Sequence, residues 1–344
     1  MHERHRLIST CGASEILLGP VMPLLEEQVR GRHVILFADE KVFGLHGHLF
    51  EGYETILIPQ GEQAKSLGRV TLLYQELLRR HVDKSSLVVA LGGGVVTDLV
   101  GFVAATYLRG VPMGFIPTTL LAQVDAAIGG KNGVNLGEYK NMVGTIRQPE
   151  FILIDTDFLN TLPRREFASG LAEVVKYGLI RDPRILDLLE GKDTDEVTLN
   201  TLLLNDIIAR SVRAKIEVVE EDLDDSGIRK ILNFGHTYGH GIERLYDLPH
   251  GVAVACGMKL ALHISVERGM LDAAVRDRVL LIMEQLGLLP EIKPDNAKVM
   301  ELITHDKKRR GDTIAFILLR EIGKPEIVPM TDEEIEGYVR NFEC

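Results

Sequence analysis

The chain has 344 residues and a formal net charge of −11, with 45% hydrophobic and 26% charged residues. This length and composition predict a globular protein of two domains, and the acidity argues against a nucleic-acid partner, which requires a basic face. The absence of a long apolar run, the polar start MHERHRLIST and only three dispersed cysteines lead us to expect a cytoplasmic protein without membrane association.

Short β-branched runs alternate with helical stretches through the first 150 residues. The predicted strands are 33–39, 53–59, 86–94 and 113–119. The predicted helices between them are 66–81 and 95–110. Alternation of this kind is typical of a mostly parallel, doubly wound sheet.

Long amphipathic helices follow after about residue 155. The predicted helices are 164–180, 196–221, 228–245, 249–268 and 272–287. A strand pair at 313–320 and 325–330 and a last helix at 331–341 complete the chain. We therefore expect an α/β domain over 1–155 and an α-helical domain over 156–344, with a cleft between them as the default binding site.

Three consecutive glycines, Gly92 to Gly94, stand where the buried strand 86–94 meets a helix. Glycine allows a ligand close to the backbone, and a helix N-terminus offers N–H groups to phosphate. Because neither G-x-G-x-x-G nor a Walker loop is present, a tight turn without a ligand is the alternative. Polar side chains after neighbouring strands, at Asp39, Glu62 and Lys65, favour a dinucleotide.

Charged residues interrupt the segment 117–141. Asp125 lies within an apolar run, where a buried carboxylate requires partners. Lys131 and the pair Lys140-Asn141 bracket what we predict to be a loop of small and polar residues. Lysines on such a backbone suit contacts to phosphate or carboxylate, and solvated surface lysines are the alternative.

A carboxylate and an ammonium group stand three residues apart on the predicted helix 164–180. Glu173 and Lys176 therefore share one helix face. A surface ion pair is one interpretation. The apolar neighbours on both sides instead favour a buried helix on which the two charges have a function.

The segment GIRKILNFGHTYGHGIE carries Arg229, Asn233, His236 and His240 at spacings of four, three and four. If 228–245 is one helix, these four side chains lie along one stripe and point into one cleft. The sequence lacks the glutamate of an H-E-x-x-H zinc site.

Two histidines four residues apart are more often structural than metal-binding. With His250 and Glu173 also available, however, two of these histidines and one carboxylate could form a metal site, and that is the composition of catalytic zinc sites. Sequence distance leaves open whether these residues meet.

Several motifs occur in the order and spacing of one family. They are GGGVVTD, PTTLLAQVDAAIGGK, GLAEVVKYG, RKILNFGHTYGH, HGVAVACGM and DKKRRGD. Through essentially its whole length the chain resembles the 3-dehydroquinate synthases of the sugar phosphate cyclase superfamily. The resemblance implies a Rossmann-like NAD-binding domain, an all-α metal-binding domain and a homodimer.

The resemblance also implies an activity. Enzymes of this family convert 3-deoxy-D-arabino-heptulosonate 7-phosphate into 3-dehydroquinate and phosphate in the shikimate pathway. NAD⁺ oxidises a ring hydroxyl, phosphate is eliminated, the ketone is reduced again and the ring closes by an aldol step. A divalent metal, zinc or cobalt, acts as a Lewis acid.

Matching motif positions imply roles for individual residues. The implied metal ligands are Glu173, His236 and His250. The implied catalytic residues are Lys176, Asp125, His240, Asn233 and Arg229. The implied substrate-binding residues are Lys131, Lys140, Asn141, Lys215, Lys307, Lys308 and, from the neighbouring subunit, Arg109. The implied NAD contacts are Asp39, Glu62, Lys65, Gly93, Gly94, Val95, Asp98, Thr118, Thr119, Lys131, Lys140 and Thr161.

Four positions depart from the family pattern, at Lys41, Thr97, Asn132 and Val252. Val252 replaces a glutamate beside His250, and we expect this loss to weaken metal affinity, because changes around metal ligands typically cost about 10- to 100-fold. Other sugar phosphate cyclases, metal-dependent polyol dehydrogenases and a degenerate NAD-binding protein remain alternatives. Retention of Arg229, Asn233 and His240 favours the dehydroquinate-forming reaction.

Overall fold

The structure is a computed structural model that describes residues 3–137, 139–222, 227–304, 313–340 and 342–344. The chain divides into two compact units, one ending at Leu162 and the other beginning at Pro163. Lys307 and Lys308 lie outside the described residues. Over the described residues, no helix combines the length and apolar character that a bilayer crossing requires.

The first unit contains the strands and helices expected from its alternating pattern, with additions at both ends. Its strands are β1 (Glu3–Ser9), β2 (Gly12–Leu18), β3 (Val34–Asp39), β4 (Glu54–Ile58), β5 (Leu87–Gly92), β6 (Met113–Pro117), β7 (Lys131–Leu136), β8 (Tyr139–Ile146) and β9 (Phe151–Ile154). Its helices are α1 (Val21–Val29), α2 (Glu40–His46), α3 (Leu67–Arg79) and α4 (Gly94–Thr106).

Among the described residues of this unit, seven strands form one sheet in the order β1-β2-β9-β6-β5-β3-β4. Every neighbouring pair is parallel except β1 and β2. The central strand β6 and its neighbour β5 are buried at every position, as expected for a parallel sheet covered on both faces. The predicted mostly parallel α/β sheet is confirmed, although β1, β2 and β9 were not predicted.

The register brings the predicted binding positions to one edge of the sheet. Asp39 at the end of β3 pairs with Ile58 at the end of β4, and Gly92 at the end of β5 pairs with Pro117. The carboxyl ends of these strands therefore lie side by side, which is the ligand-binding edge of open α/β sheets.

The predicted loop between Lys131 and Asn141 is wrong, because these residues form the antiparallel pair β7–β8. Small residues make the pairing close: a Cβ added to Gly144 would lie 2.5 Å from the carbonyl oxygen of Asn132. Within the predicted loop, a Cβ added to Gly133 would lie 3.0 Å from the carbonyl oxygen of Val143, so this glycine also permits the two strands to approach each other.

Helices dominate the second unit. Its helices are α5 (Arg164–Ile180), α6 (Arg184–Leu189), α7 (Thr194–Leu199), α8 (Thr201–Glu221), α9 (His236–Tyr246), α10 (His250–Glu267), α11 (Ala273–Gln285), α12 (Asn296–Thr304) and α13 (Asp332–Val339). An antiparallel strand pair, β10 (Thr313–Glu321) and β11 (Lys324–Thr331), matches the predicted one.

The predicted single helix 228–245 is wrong. A 3₁₀ turn covers Ile228–Asn233, and α9 begins only at His236 after Gly235, whose φ is 79°. A Cβ at Gly235 would lie 2.7 Å from the carbonyl oxygen of Val254, so this left-handed turn requires glycine. Consequently Arg229 and Asn233 do not share a helix stripe with His236 and His240.

Two other predicted helices are interrupted. The helix 196–221 is divided at Asn200, whose side chain accepts a hydrogen bond from the N–H of Leu203 and so caps α8. The helix 95–110 ends at Thr106, because Leu108 and Arg109 adopt positive φ angles of 50° and 65°.

Glycines allow α10 to lie unusually close to its neighbours. A Cβ at Gly257 would lie 1.7 Å from the carbonyl oxygen of Gly235, at the start of α9. One at Gly251 would lie 1.9 Å from the carbonyl oxygen of Ser169, on α5. These backbone contacts fix where the N-terminal ends of α9 and α10 lie relative to α5.

Candidate metal centre and binding turn

Three side chains of the second unit converge at the starts of α9 and α10. Glu173 is fully buried on α5, and the two histidines are the first residues of their helices. Glu173 Oε1 lies 3.6 Å from His236 Nε2 and 3.5 Å from His250 Nε2. Their ligand atoms all lie within 4.8 Å of one another, so they could hold one metal ion.

Hydrogen bonds fix the orientation of both imidazole rings. Nδ1 of His236 lies 3.1 Å from the carbonyl oxygen of Phe234, and Nδ1 of His250 lies 3.0 Å from Oε2 of Glu243. A carbonyl or carboxylate oxygen only accepts, so each Nδ1 carries the proton and donates it. Nε2 of both rings is thereby directed toward Glu173.

The donor set fits a divalent cation. Burial lowers the pKa of His236 well below its usual value, which keeps the ring neutral and leaves a lone pair on Nε2. That lone pair faces the Oε1 acceptor of Glu173. Two ligand atoms on a tetrahedral zinc ion are separated by about 3.4 Å. The 3.6 Å between Nε2 of His236 and Oε1 of Glu173 is close to this separation.

His250 has a different protonation state without an ion. Burial lowers its pKa, but hydrogen bonds with Glu173 and Glu243 outweigh this effect and raise it to about 9. A proton on the ring therefore balances the carboxylates. A cation would replace that proton, since metal ligation requires neutral imidazole.

Lys176 completes the cluster as a buried ion pair. Its ammonium group contacts Oε2 of Glu173, and both side chains are almost inaccessible to solvent. The same ammonium lies 4.8 Å from the ring centre of Tyr177. The surface ion pair considered from the sequence is therefore wrong.

Glu243 was not identified from the sequence. The spacing could have indicated it, since Glu243 lies three residues after His240 on the same helix and thus on the same face. Its contact with His250 supplies a carboxylate next to that candidate ligand, although Val252 replaces the glutamate of the family pattern. Val252 is half-buried and lines a groove of about 320 Å³ with Arg164 and Arg165.

If His250 is a metal ligand, replacing Glu243 by glutamine is expected to weaken metal binding by about 10- to 100-fold, because His250 loses its charged acceptor. Competition with a chromophoric chelator measures this affinity. Glu267→Gln is the matched control, since it removes the carboxylate of the exposed His263–Glu267 pair and should leave the affinity unchanged. An unaltered affinity in the Glu243 variant would contradict the expectation.

The other predicted residues of this unit lie in three environments. His240 is half-buried, with its ring centre 5.3 Å from that of His236 and 6.2 Å from that of His250. Arg229 and Lys215 are buried. Asn233 is half-buried at the end of the 3₁₀ turn.

In the first unit, a buried lysine joins predicted residues from three segments. The ammonium group of Lys65 donates to Asp98 in the first turns of α4 and to the side-chain oxygen of Asn141 in β8. Burial raises the pKa of Asp98 to about 6, against the opposing effect of Lys65. Glu62 Oε1 accepts a hydrogen bond of 2.7 Å from Asn135.

The glycine turn forms a cradle at the start of α4. A Cβ at Gly93 would lie 3.0 Å from Cγ2 of Thr119, and one at Gly94 would lie 3.2 Å from Cβ of Ala126. The buried hydroxyl of Thr118 has no hydrogen-bond partner among the described residues. An uncapped helix end beside an unsatisfied hydroxyl fits a bound phosphate group.

The remaining predicted positions of this unit are also placed. Asp39 Oδ1 caps α2 by accepting from the N–H groups of Lys41 and Val42. Thr161 Oγ1 lies 2.8 Å from His46 Nε2. The half-buried residues are Val95 and Asp125, and the exposed ones are Arg109, Lys131 and Lys140.

Two departures from the family pattern have local structural roles. The hydroxyl of Thr97 donates to the carbonyl oxygen of Gly94 within α4. The side-chain amide of Asn132 donates to the carbonyl oxygens of Gly130 and Arg147, at the base of the β7–β8 pair.

Solved structures with the same fold define a class of protein. A 2-epi-5-epi-valiolone synthase from Streptomyces hygroscopicus subsp. jinggangensis 5008, with NAD⁺ and Zn²⁺ bound, superposes with a TM-score of 0.85 at 30% identity, covering 94% of this chain and 95% of that one. A 2-deoxy-scyllo-inosose synthase complexed with carbaglucose-6-phosphate, NAD⁺ and Co²⁺ gives a TM-score of 0.88 at 25% identity, covering 98% and 99%. The fold is that of the sugar phosphate cyclases.

Sequence comparisons narrow this class to one family. Residues 55–169 match the N-terminal model of 3-dehydroquinate synthase, and residues 170–309 match its C-terminal model. The 3-dehydroquinate synthase of Pelobacter propionicus is 44% identical over 285 residues, 81% of this chain and 79% of that protein. That of Alkaliphilus metalliredigens is 39% identical over 333 residues, 94% of each. The chain belongs to the 3-dehydroquinate synthase family.

Proposed function

We propose that the protein converts 3-deoxy-D-arabino-heptulosonate 7-phosphate into 3-dehydroquinate and phosphate, as a cytoplasmic enzyme of the shikimate pathway. The observation that supports this most strongly is the convergence of the buried Glu173 and His236 with the half-buried His250, in a chain of this family. In this proposal the first unit binds NAD⁺, and the second holds a divalent metal, zinc or cobalt.

NAD⁺ would supply reversible hydride transfer, and the metal would supply Lewis acidity toward the reacting hydroxyl and carbonyl. The residues of the chain hold these groups and the substrate. Glu173, His236 and His250 ligate the metal, and Lys176 holds the carboxylate of Glu173 in place through its ion pair.

Positively charged residues in an acidic protein suit this substrate, which carries both a carboxylate and a phosphate group. The buried Arg229 and Lys215 suit its carboxylate, because a guanidinium and an ammonium form charge-assisted hydrogen bonds there. His240 and Asn233 would contact the phosphate, and His240 would hold or donate a proton there. Further phosphate and substrate contacts are proposed for Lys131, Lys140, Asn141, Lys307 and Lys308.

The cofactor contacts are proposed on the sheet edge and the glycine turn. The unsatisfied hydroxyl of Thr118 and the cradle at Gly93 and Gly94 support this position for the pyrophosphate. The remaining proposed contacts are Asp39, Glu62, Lys65, Val95, Asp98, Thr119, Lys131, Lys140 and Thr161. Asp125 belongs instead to the proposed catalytic residues.

We also propose a homodimer in which Arg109 reaches the phosphate bound by the partner. Leu108 and Arg109 are consecutive non-glycine residues at positive φ, and both side chains are exposed. Strained backbone conformations of this kind cluster at functional sites, where they orient a side chain toward its ligand. Sedimentation equilibrium tests the dimer, and a monomer at assay concentrations would contradict it.

The assay that tests the function combines the purified protein, the heptulosonate phosphate, NAD⁺ and Zn²⁺. We expect phosphate and 3-dehydroquinate to form in equal amounts without accumulation of NADH. NADH that accumulates in proportion to turnover would indicate a dehydrogenase instead. Metal and NAD⁺ binding without turnover of this substrate, but with turnover of another sugar phosphate, would indicate a different cyclase.

A further inference from the structure

Asn135, on β7, contacts both Glu62 and Asn141, and Asn141 in turn accepts a hydrogen bond from the buried Lys65. The family resemblance described above gives Asn135 no role. Its side-chain nitrogen donates to Glu62 Oε1 at 2.7 Å, and its side-chain oxygen accepts from the N–H of Asn141 at 2.9 Å. Its backbone N–H donates to the carbonyl oxygen of Lys65 at 2.9 Å. Only one orientation of the amide satisfies both side-chain contacts, because a carboxylate cannot donate and an N–H cannot accept.

These hydrogen bonds hold the two partners of Asn135, which are Glu62 and Asn141. Asn141 has a φ of 55°, a left-handed conformation that a hydrogen bond to its N–H helps to retain. In this conformation its side chain accepts from Lys65, which also donates to Asp98. Glu62 belongs to a different segment, a short 3₁₀ turn after β4. Asn135 therefore connects two segments that the chain separates widely.

We infer that Asn135 is a positioning residue that couples the cofactor contact Glu62 to the substrate contact Asn141. This inference rests on the proposed function, which assigns those two contacts. Through one planar amide, the arrangement of the glutamate that meets NAD⁺ fixes the arrangement of the asparagine that meets the substrate. Binding of either ligand then orders the other contact.

The strand pair around Asn135 does not depend on its side chain. Backbone pairing continues from Lys131 and Ile146 to Val134 and Val143. Asn135 itself is only half-buried. Substitutions at this position are therefore expected to retain the fold and to change the network alone.

The decisive substitution is Asn135→Asp, which removes the hydrogen bond donated to Glu62 and keeps the one accepted from Asn141. An aspartate still accepts from the N–H of Asn141, but it places a second carboxylate against Glu62. We expect the Kd for NAD⁺ to rise by about tenfold or more, while the KM for the heptulosonate phosphate changes far less. Asn135→Ala removes both contacts and should raise both constants. Isothermal titration calorimetry gives the Kd, and steady-state phosphate release gives the KM.

A second substitution tests the coupling directly. Combining Asn135→Asp with Glu62→Gln exchanges donor and acceptor, so the hydrogen bond forms in the reverse direction. The rise in Kd of the double variant should be smaller than the product of the two single effects. Leu136→Ala, at a side chain that is 50% exposed on the same strand, is the control and should change neither constant.

The inference is overturned if Asn135→Ala leaves the Kd and the KM at their wild-type values. It is also overturned if both Asn135 variants raise the two constants equally, with a lower melting temperature and no rescue by Glu62→Gln, because that pattern indicates a purely structural residue. A wild-type protein that binds NAD⁺ and turns over the substrate separates these results from failure of the proposed function. A wild-type protein that does neither overturns that function, and the inference with it.

Discussion

Replacing Glu173 by glutamine is expected to abolish metal binding and to lower turnover by about a thousandfold or more. Glu173 is the one anionic residue of the proposed ligand set, and its Oε1 lies within 3.6 Å of both histidine Nε2 atoms. A neutral amide of the same shape retains the volume but loses the charge that holds a divalent cation. Without the ion, the reacting hydroxyl loses its Lewis acid.

Metal content by mass spectrometry and the rate of phosphate release measure this effect. The substitution leaves the buried Lys176 without its carboxylate, so Glu173→Asp is measured beside it as a variant that retains the charge. Glu217→Gln is the control, because this glutamate forms an exposed ion pair with Arg181 and should affect neither quantity. Full metal content and normal turnover in the Glu173→Gln variant would refute the metal assignment.

The second large effect is expected from Gly257→Ala, which should lower the free energy of unfolding by about 3 kcal/mol. The new Cβ would lie 1.7 Å from the carbonyl oxygen of Gly235 and 3.0 Å from the backbone nitrogen of Gly239. Both are backbone atoms of the turn into α9 or of α9 itself, so no side chain can rotate away. The two helices must separate, and His236 and His250 separate with them.

Urea unfolding and metal titration together measure this change, and we expect stability and metal affinity to fall in parallel. Gly337→Ala is the matched control, a helical glycine of α13 around which nothing lies within 4 Å of an added Cβ. There the same substitution should raise stability by about 0.5–1 kcal/mol, because alanine favours helix. A Gly257 variant as stable as the wild type would contradict the close packing.

The sheet edge was predictable from the sequence because it follows from local pattern and topology. Runs of apolar residues locate β3 and β5, and parallel strands place Asp39 and Gly92 at one edge. The glycine turn was predictable for the same reason, since three glycines at a strand–helix junction have few structural roles. Strands β1, β2 and β9 were missed, although β9 is the apolar run FILI and is buried at every position.

The metal centre was not predictable from spacing alone. Periodicity suggested one helix through 228–245, whereas the approach of Val254 to Gly235 requires a left-handed turn that ends the 3₁₀ segment before His236. The meeting of Glu173 with His250 depends on Gly251 and Ser169, whose contact joins residues far apart in the chain. Tertiary packing decides both points. The residues alone suggested two histidines and a carboxylate but left open whether they meet, and the family resemblance singled out Glu173, His236 and His250.

The position of both histidines at the first residue of a helix has an electrostatic consequence. The N-terminal ends of α9 and α10 carry partial positive charge from their aligned peptide dipoles, and both ends adjoin the proposed metal. This field opposes a cation and favours an anion at the same place. The proposed metal would therefore be held less tightly than its three proposed ligands alone would hold it, whereas an anionic oxygen of the substrate at this place would be favoured by both helix ends.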